Sequence, residues 1–272
     1  MLSFPVALQL YSVRDDMAAD FEGTLQKVKA MGYDGVEFAG LFGHTAQQVK
    51  AMCEKAGLIP VSAHVPFVDL MADPAGQIAT YKEIGCFQVV IPYLTEDLRP
   101  GQPGFATVIE GAKVLGEACK KQGMLLGYHN HDFEFEKIDG KYALDVLYTE
   151  VTADLLQTQV DTCWVNVAGE DPAAYVGKYA GRTPTVHLKD FVGSKSENMY
   201  ALIGIDEDEE KDTKGQFELR PVGKGVQNFP AIIETAKKGG AEWFIVEQDM
   251  PSMGLTPMEC AKVSFDYLNS IM

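Results

Sequence analysis

The sequence predicts an α/β protein, a (β/α)8 TIM barrel, on three observations. Short apolar runs alternate with stretches of helical spacing along all 272 residues, and such alternation indicates a parallel sheet. About eight such units fit within a chain of this length, which is typical of a closed barrel. A doubly wound sheet is the alternative, but it is expected to carry a glycine fingerprint after its first strand. The segment LQLYSVRDD contains no glycine, which favours the barrel.

Eight apolar runs are predicted to form the strands: Val6–Leu10, Gly35–Phe38, Ile59–His64, Gln88–Tyr93, Met124–His129, Gln157–Asp161, Thr185–Leu188 and Trp243–Glu247. Apolar residues at helical spacing mark five helix faces between or after them. The faces are Phe21, Leu25, Val28 and Met31; Ala46, Val49, Met52 and Cys53; Phe105, Val108, Ile109, Ala112, Leu115 and Ala118; Ile232, Ile233 and Ala236; and Val263, Phe265 and Leu268. A glycine between a helical stretch and a strand fits a helix C-cap. Four such glycines are Gly32, Gly57, Gly85 and Gly123.

One segment breaks this rhythm within what we expect to be a single domain covering residues 1–272. Roughly 40 residues separate Asp190 from Phe229, longer than ordinary loops, and they contain the acidic run IDEDEEKDTKG. We interpret residues 192–220 or thereabouts as a long loop insertion after the seventh strand. It is either a solvated surface insertion or a lid over the site.

The composition argues against nucleic-acid and membrane partners. The net charge is −16, from 23 Lys and Arg against 39 Asp and Glu, which disfavours binding to polyanionic surfaces. The longest apolar runs, such as residues 87–92, are too short to cross a bilayer, and the N-terminal segment does not resemble a signal peptide. Five scattered cysteines without a CxxC pair indicate reduced, buried thiols. We expect a cytoplasmic protein that acts on a small molecule.

Polar side chains cluster at the C-terminal ends of the predicted strands, where barrel enzymes place their catalytic groups. They are Glu37, His64, His129, His131, Asp161, His187, Lys189, Asp190, Glu247 and Asp249. Four of the five histidines of the chain are in this set. Imidazole and carboxylate groups together suit one divalent metal ion, and the mixture does not choose among Mn²⁺, Zn²⁺, Co²⁺ and Mg²⁺.

Five motifs resemble the sugar phosphate isomerase/epimerase family of the xylose-isomerase-like TIM barrel superfamily. They are YHNHDFEF (128–135), DTCWV (161–165), VHLKDF (186–191), PVGKGVQNFP (221–230) and EWFIVEQD (242–249). The superfamily includes inosose dehydratases, ketose 3-epimerases and endonuclease IV. The resemblance covers nearly the whole chain. It identifies the superfamily more specifically than it identifies a substrate.

The resemblance implies a set of metal ligands. Relatives commonly bind one divalent ion through a Glu, an Asp, a His and a Glu at the ends of strands five to eight. Asp161, His187 and Glu247 match the last three of these positions. At the first, this chain has His129 instead of Glu, and Glu134 is the rival for the carboxylate role. His131 then takes the place of the histidine that accompanies the Glu in relatives.

The spacing of the two histidines in HNH allows them to share the site. Residues i and i+2 of a strand point to the same side, so we expect His129 and His131 to face the barrel mouth together, while Asn130 points away and anchors the loop. One histidine can hold the metal while the other meets the substrate. The alternative is that both are structural and fix a loop by hydrogen bonds.

The chemistry shared by the family is removal of a proton beside a carbonyl group, with a metal-stabilised enediolate. Glu247 and His131 are the candidates for the proton-transfer pair, with Glu134 as the alternative. Lys189 is expected either to hold a developing oxyanion or to form a salt bridge with a nearby carboxylate. Five further residues are candidates for contact with the substrate: Glu37, His64, Trp164, Gln9 and Tyr11.

Three functions stay open. The first is a metal-dependent isomerase or epimerase of a sugar or keto-sugar. The second is a lyase of the same fold that dehydrates an inosose or eliminates from a 3-keto-glycoside. The third is a non-catalytic sugar-binding barrel. The segment around Gly223, Lys224 and Gly225 is a weak match to a phosphate site, so we expect an unphosphorylated substrate. Barrels of this kind are often homo-oligomers, and the sequence does not fix the number of subunits.

Overall fold

A computed structural model of the chain describes residues 4–195, 199–200 and 217–272. Most of the predicted acidic insertion, residues 196–198 and 201–216, therefore lies outside the described residues. Within the ranges that are described, no helix is both long and apolar enough to cross a membrane. All five cysteines are free and buried, as expected from their scattered positions.

The strands in chain order are β1 Val6–Gln9, β2 Gly35–Phe38, β3 Ile59–His64, β4 Gln88–Ile91, β5 Leu125–His129, β6 Lys137–Ile138, β7 Lys141–Tyr142, β8 Gln157–Asp161, β9 Thr185–Leu188, β10 Asp190–Gly193, β11 Phe217–Arg220 and β12 Trp243–Val246. Eight of them close into a parallel barrel in the order β1, β12, β9, β8, β5, β4, β3, β2, with β2 pairing back to β1. The predicted (β/α)8 barrel is therefore confirmed.

The helices are α1 Arg14–Ala19, α2 Phe21–Met31, α3 Ala46–Ala56, α4 Phe67–Ala72, α5 Pro74–Ile84, α6 Gly104–Gln122, α7 Ala143–Glu150, α8 Thr162–Val167, α9 Pro172–Lys178, α10 Phe229–Lys238 and α11 Pro257–Ile271. Short 3-10 segments occupy Leu10–Val13, Glu96–Leu98 and Phe133–Phe135. All five predicted helix faces fall within α2, α3, α6, α10 and α11.

The helix ends follow local sequence signals. Thr45 and Thr256 begin α3 and α11 with reciprocal capping boxes, which satisfy amide groups that the first helical turn leaves unpaired. The four predicted glycine caps all adopt left-handed backbone conformations, with φ between 71° and 115°. A side chain at these positions would be strained, so glycine directs the chain from each helix into the next strand.

Alternate residues of the strands face two different environments. The outer face packs against the helices and is apolar, with buried residues such as Phe38, Val160 and Leu188 in one continuous core. The space enclosed by the barrel strands, here called the lumen, is different. A small apolar group of Ala7, Val61 and Ile245 forms a separate cluster, and polar side chains fill the rest towards the C-terminal ends of the strands.

The structure differs from the sequence prediction after β9. The predicted plain loop is framed by an antiparallel ribbon, in which β10 pairs with β11 from Asp190–Arg220 to Gly193–Phe217. Apolar residues of this ribbon, Phe191, Phe217 and Leu219, pack with Trp164. Two flanking segments that pair across a long connection cannot be recognised from either segment alone, since each is only four residues long.

Candidate metal and active site

A cavity of about 430 Å³ opens at the C-terminal ends of the barrel strands. Its wall consists of Tyr11, Ala39, Gly40, His64, Pro66, Asp69, Pro92, Tyr93, His129, His131, Lys189, Glu247 and Asp249. Most charged and imidazole groups come from strands β3, β5, β9 and β12 or from residues just after them, and Asp69 comes from helix α4. Proline, glycine and alanine residues form another part of the wall. The volume is within the range of small-molecule sites.

Four buried side chains at one end of this cavity bring ligand atoms within 4.8 Å of one another. They are His129, Asp161, His187 and Glu247, here called the ligand cluster. These are the four residues predicted as metal ligands, and the structure places them together. His129 ends β5 and Asp161 ends β8. His187 lies within β9, and Glu247 directly follows β12. The parallel register places them side by side, because Asp161 is opposite His187.

Asp161 divides its two oxygens between structure and site. Oδ1 accepts hydrogen bonds from the backbone amides of Cys163 at 2.8 Å and Trp164 at 3.1 Å, so it caps helix α8. Oδ2 accepts no hydrogen bond of regular geometry from the described residues; it lies 3.3 Å from Lys189 Nζ and 3.6 Å from His129 Nε2. Burial raises the pKa of Asp161, although the nearby Lys189 opposes that shift. A buried carboxylate oxygen without a hydrogen-bond donor is an available metal ligand.

His187 lies between two carboxylates. Its Nε2 is 2.7 Å from Glu37 Oε1, and its Nδ1 is 2.9 Å from Glu247 Oε2. Burial alone would lower the pKa of His187, but the negative charges of Glu37 and Glu247 outweigh it and raise the pKa to about 10. Without a metal the ring therefore carries both protons. Coordination through Nδ1 requires that nitrogen to release its proton.

His129 presents its other nitrogen to the ligand cluster. Its Nδ1 is 3.1 Å from Gln159 Oε1, while Nε2 faces Asp161 at 3.6 Å and Glu247 at 4.0 Å. Burial and the charge of His187 lower the pKa of His129 well below its ordinary value, so the ring is neutral. Because Gln159 Oε1 only accepts hydrogen bonds, Nδ1 carries the proton and Nε2 carries the lone pair.

Lys189 is buried among three carboxylates. Its Nζ lies 3.3 Å from Asp161, 2.9 Å from Glu247 and 2.9 Å from Asp249. Burial opposes the charged form, but these carboxylates raise the pKa of Lys189 well above its ordinary value. Of the two roles considered for Lys189, the structure shows the salt bridge, and it is with these carboxylates. The oxyanion role stays a prediction.

His131 lies next to the ligand cluster without belonging to it. Its ring stacks on Phe133 at 5.5 Å and on Trp164 at 5.3 Å, and its Nδ1 makes no hydrogen bond to the described residues. Burial, and then the charge of Lys189, lowers the pKa of His131 well below its ordinary value. Asn130 points away and exchanges hydrogen bonds with the backbone of Asp161, the anchoring role expected for it.

Glu134 is not brought to the ligand cluster. Its Oε1 accepts a hydrogen bond from Tyr128 Oη at 2.7 Å, and its Oε2 accepts one from the backbone amide of His131 at 2.8 Å. Tyr128 faces the outer side of β5 and belongs to the helix-packed core. Burial raises the pKa of Glu134 to about 8. Because both oxygens are engaged on the far side of the strand, Glu134 supports the loop that carries His131.

The five predicted substrate contacts divide into two groups. His64 and Tyr11 line the cavity. Gln9, Glu37 and Trp164 are fully buried, and the structure does not bring these three predicted contacts to the cavity wall. Strand alternation predicts which face a residue is on but not its depth along the barrel.

Two residues of the site were given no role by the sequence analysis. Asp249 was placed at a strand end but assigned no function; it lines the cavity and pairs with Lys189. Gln159 Oε1 lies within hydrogen-bond distance of His64 and His129. Gln159 Nε2 donates a hydrogen bond to Glu37. It lies two residues before Asp161 on the same face of β8, but a glutamine within a strand carries no sequence signal of its own.

The residues present fit a divalent metal ion. The ligand cluster offers two carboxylates and two imidazoles, a donor set that suits Mn²⁺, Co²⁺ and Zn²⁺. Asp161 Oδ2 and His129 Nε2 face each other with no hydrogen bond between them. Nδ1 of His187 and Oε2 of Glu247 are 2.9 Å apart, close to the roughly 3 Å that separates two adjacent ligands, each about 2.1 Å from one ion.

The weakly matching phosphate segment is occupied by a side chain of the protein itself. Oδ2 of Asp190 accepts hydrogen bonds from the backbone amides of Gly223 at 3.0 Å and Gly225 at 2.8 Å. A Cβ on Gly225 would lie 2.2 Å from Asp190 Oδ1, so this close approach requires glycine. These amides therefore bind a carboxylate within the chain and are not available to a substrate phosphate.

Comparison with known proteins agrees with the barrel fold. The family profile described as a xylose isomerase-like TIM barrel matches residues 25–271. The chain is also similar to the inosose dehydratase of Clostridium beijerinckii, with 28% identity over 165 residues, which are 58% of this chain and 52% of that protein. The matched region thus spans about half the length of this curated relative.

Two solved structures share the fold. A sugar phosphate isomerase/epimerase from Parabacteroides distasonis has a TM-score of 0.80 and 22% identity, covering 99% of this chain and 95% of that chain. A xylose isomerase-like TIM barrel protein from Mycobacterium smegmatis in complex with magnesium has a TM-score of 0.70 and 14% identity, covering 99% of this chain and 96% of that chain. At these identities the similarity shows the fold alone.

Proposed function

The chain belongs to the xylose isomerase-like TIM barrel family, and from this premise we propose that it is a divalent-metal-dependent lyase acting on a keto-polyol or 3-keto-glycoside. The observation that carries the proposal is the buried ligand cluster beside a cavity that also contains a neutral imidazole and a charged amine. An ion held by His129, Asp161, His187 and Glu247 would supply a Lewis acid for an oxygen of the substrate.

His131 is the base in this proposal. It lines the cavity, its ring is fixed by aromatic packing, and its Nδ1 has no hydrogen-bond partner among the described residues. A neutral imidazole accepts a proton and returns it later in the same reaction. Burial would raise the pKa of Glu247, but Lys189 and His187 outweigh it and hold the pKa well below its ordinary range. Glu247 is therefore the weaker base of the predicted pair.

Lys189 compensates negative charge on the substrate. Its ammonium group reaches the cavity wall and is held in place by Glu247 and Asp249. When His131 takes the proton from the carbon beside the carbonyl, charge develops on the carbonyl oxygen, and a fixed cation nearby stabilises it. The β-hydroxyl then leaves and takes the proton from His131. The substrate becomes an unsaturated ketone and one water molecule, so atoms and charge balance.

Loss of a leaving group is favoured over isomerisation by the relatives' activity and by the acid–base groups available. The relative from Clostridium beijerinckii is an inosose dehydratase. An epimerase needs proton donors on both faces of the substrate, and the strand-five carboxylate of the ketose epimerases is replaced here by His129. The engagement of Gly223 and Gly225 by Asp190 supports an unphosphorylated substrate.

An isomerase or epimerase is the second candidate, because Glu247 and Asp249 both line the cavity on either side of Lys189. Either carboxylate offers a second proton-transfer group. The two candidates share the first step and differ in the product. An isomer keeps the mass of its substrate, whereas elimination loses the mass of water or of an alcohol.

The test is incubation of the metal-supplemented protein with inososes and 3-keto-glycosides in D₂O. We expect the carbon beside the carbonyl to lose its hydrogen without gaining deuterium and the product to have lost its leaving group, measured by NMR and mass spectrometry; an isomerase or epimerase product would instead carry deuterium there. His131→Gln should lower the rate by roughly 10²–10⁴-fold, the usual contribution of a general base. Glu170→Gln, a change outside the cavity, is the matched control. A product of unchanged mass would transfer the proposal to the isomerase.

A further inference from the structure

Glu37 occupies the centre of the polar part of the lumen. It is fully buried at the end of β2, and five side chains direct hydrogen-bonding groups at its carboxylate. They are Gln9 at 2.8 Å, His187 at 2.7 Å and His64 at 3.0 Å on Oε1, and Ser62 at 2.5 Å and Gln159 at 2.7 Å on Oε2. Both oxygens are therefore saturated, and Glu37 is not available to a substrate or a metal.

The contact with His187 determines which nitrogen of that ring faces the ligand cluster. Glu37 Oε1 engages Nε2, so Nδ1 is the nitrogen directed at Glu247. A carboxylate only accepts hydrogen bonds, so Nε2 must keep its proton. Metal-binding histidines commonly donate their other N–H to a carboxylate in this way, which fixes both the tautomer and the ring orientation.

The same carboxylate acts on His129 through Gln159. Glu37 Oε2 accepts from Gln159 Nε2 at 2.7 Å, which identifies that end of the side chain as the NH₂ group. Gln159 Oε1 is then the acceptor that faces His129 Nδ1 at 3.1 Å. His129 consequently carries its proton on Nδ1 and presents Nε2, the opposite arrangement to His187.

We infer that Glu37 is a positioning residue that sets opposite tautomers of the two histidines in the ligand cluster, directly for His187 and through Gln159 for His129. This inference rests on the metal site of the proposed function and adds to it a residue that does not touch the ion. The donors that surround both oxygens of Glu37 leave it only the role of hydrogen-bond acceptor.

The experiment uses the full chain, titrated with Mn²⁺ by calorimetry, as wild type, Glu37→Gln and Ser62→Ala. Glu37→Gln keeps the size of the side chain but removes the charge and one acceptor oxygen. We expect its affinity for Mn²⁺ to be roughly 10–100-fold weaker, the usual effect of removing such a partner. Ser62→Ala removes a donor to Glu37 without touching either histidine and should stay within a few-fold of wild type.

A second readout distinguishes positioning from a general structural role. Histidine side-chain nitrogens of the ¹⁵N-labelled, Zn²⁺-loaded protein are assigned by NMR. Wild type should show His187 bound through Nδ1 and His129 bound through Nε2, with the other nitrogen of each protonated. If Glu37→Gln does not fold, Glu37→Asp replaces it, since its shorter side chain withdraws the carboxylate from Nε2 and should likewise weaken Mn²⁺ binding by at least about 10-fold.

The outcomes separate this inference from the proposed function. A wild type that binds Mn²⁺ with the two nitrogens reversed, or a folded Glu37→Gln with unchanged affinity, overturns the inference and leaves the metal site intact. A wild type that binds neither ion overturns both. Absence of lyase activity in a protein that shows the expected affinities and nitrogen pattern overturns the proposed reaction only.

Discussion

The two faces of the barrel strands solve different physical problems. The outer face, packed under the helices, is a continuous apolar core that includes Phe38, Val160 and Leu188. The lumen carries buried charges in hydrogen-bond contact, among them Glu37, His187 and Lys189, all nearly inaccessible to solvent. Burying charges costs free energy that ion pairing only partly offsets. The outer face therefore provides most of the free energy of folding. This offsets the cost of burying the charged groups that the lumen holds in place.

The lumen is also graded along its axis. Ala7, Val61 and Ile245 form a small apolar cluster, whereas residues nearer the C-terminal strand ends are charged or polar. Barrels usually fill this space with branched apolar side chains. Here a hydrogen-bonded polar network centred on Glu37 and Gln159 takes their place and helps to fix the orientation of His129 and His187.

Lys189→Met should give the largest loss of stability in the lumen. Three carboxylates lose the cation that lies 2.9–3.3 Å from them, and removing one partner of a buried ion pair costs about 3–5 kcal/mol. We expect urea denaturation to show that Lys189→Met lowers the free energy of unfolding by about 5 kcal/mol, near the top of that range. Added Mn²⁺ should restore more stability to this variant than to wild type. Lys262→Met, at an exposed pair with Asp266, is the control, and equal stability of the two variants would contradict the account.

The buried carboxyl group of Glu134 should make the free energy of unfolding depend on pH. Its pKa is raised by burial to about 8 in the folded protein and is about 4.3 when unfolded. The unfolded state therefore releases this proton first, so the Glu134 contribution is fully present below about pH 4 and is lost as pH rises to about 8, with a slope of up to about 1.4 kcal/mol per pH unit.

Glu134→Gln should flatten that slope between about pH 5 and pH 8, roughly the span between the two pKa values. The amide can accept from the His131 amide and donate to Tyr128, the same two partners that the protonated acid has. The measurement is the free energy of unfolding at several pH values. An equally steep profile in wild type and variant would remove Glu134 as its source.

Leu188→Ala tests the outer face at a position between His187 and Lys189. Leu188 is fully buried in the helix-packed core, so truncation should cost about 3 kcal/mol, within the usual range for such cavities. Because the side chain points away from the lumen, Mn²⁺ affinity of the folded variant should stay within a few-fold of wild type. A large loss of affinity would show that the two faces are not independent.

Lys262→Ala should give the smallest effect. Its pair with Asp266 is on the exposed side of α11 at i,i+4 spacing, and such pairs contribute about 0.3–0.5 kcal/mol. Thermal or urea denaturation should place this variant within that margin of wild type. A loss above 1 kcal/mol, well outside the roughly 0–1 kcal/mol of surface pairs, would mean that buried and exposed charges in this protein do not differ as described.

The sequence was sufficient for the barrel and for the convergence of ten polar side chains at its strand ends. The resemblance to the family, not strand position alone, then implied His129, Asp161, His187 and Glu247 as the ligand set. The sequence was not sufficient for depth along the barrel axis. His64 ends β3 and Glu37 is the next-to-last residue of β2, yet only His64 lines the cavity, because the depth depends on strand stagger and side-chain length.

Contacts made across the lumen were equally hidden. Gln159 and Glu37 are 122 positions apart in the chain, and neither residue type predicts the hydrogen bond between them. Glu134 was ambiguous for a related reason, since the short 3-10 segment Phe133–Phe135 turns its side chain to the outer side of β5. A strand-based pattern cannot predict orientation once the strand has ended at His129.

The most direct test of the account is divalent-metal binding by wild type and Asp161→Asn, measured side by side by calorimetry and elemental analysis. The asparagine keeps an Oδ1 that can cap α8 but removes the charge from the oxygen that faces His129. The account predicts one ion per wild-type chain and at least a 100-fold loss of affinity, roughly 3 kcal/mol, in a variant that remains folded. Equal binding by both proteins, or none by wild type after addition of Mn²⁺ or Zn²⁺, would contradict it.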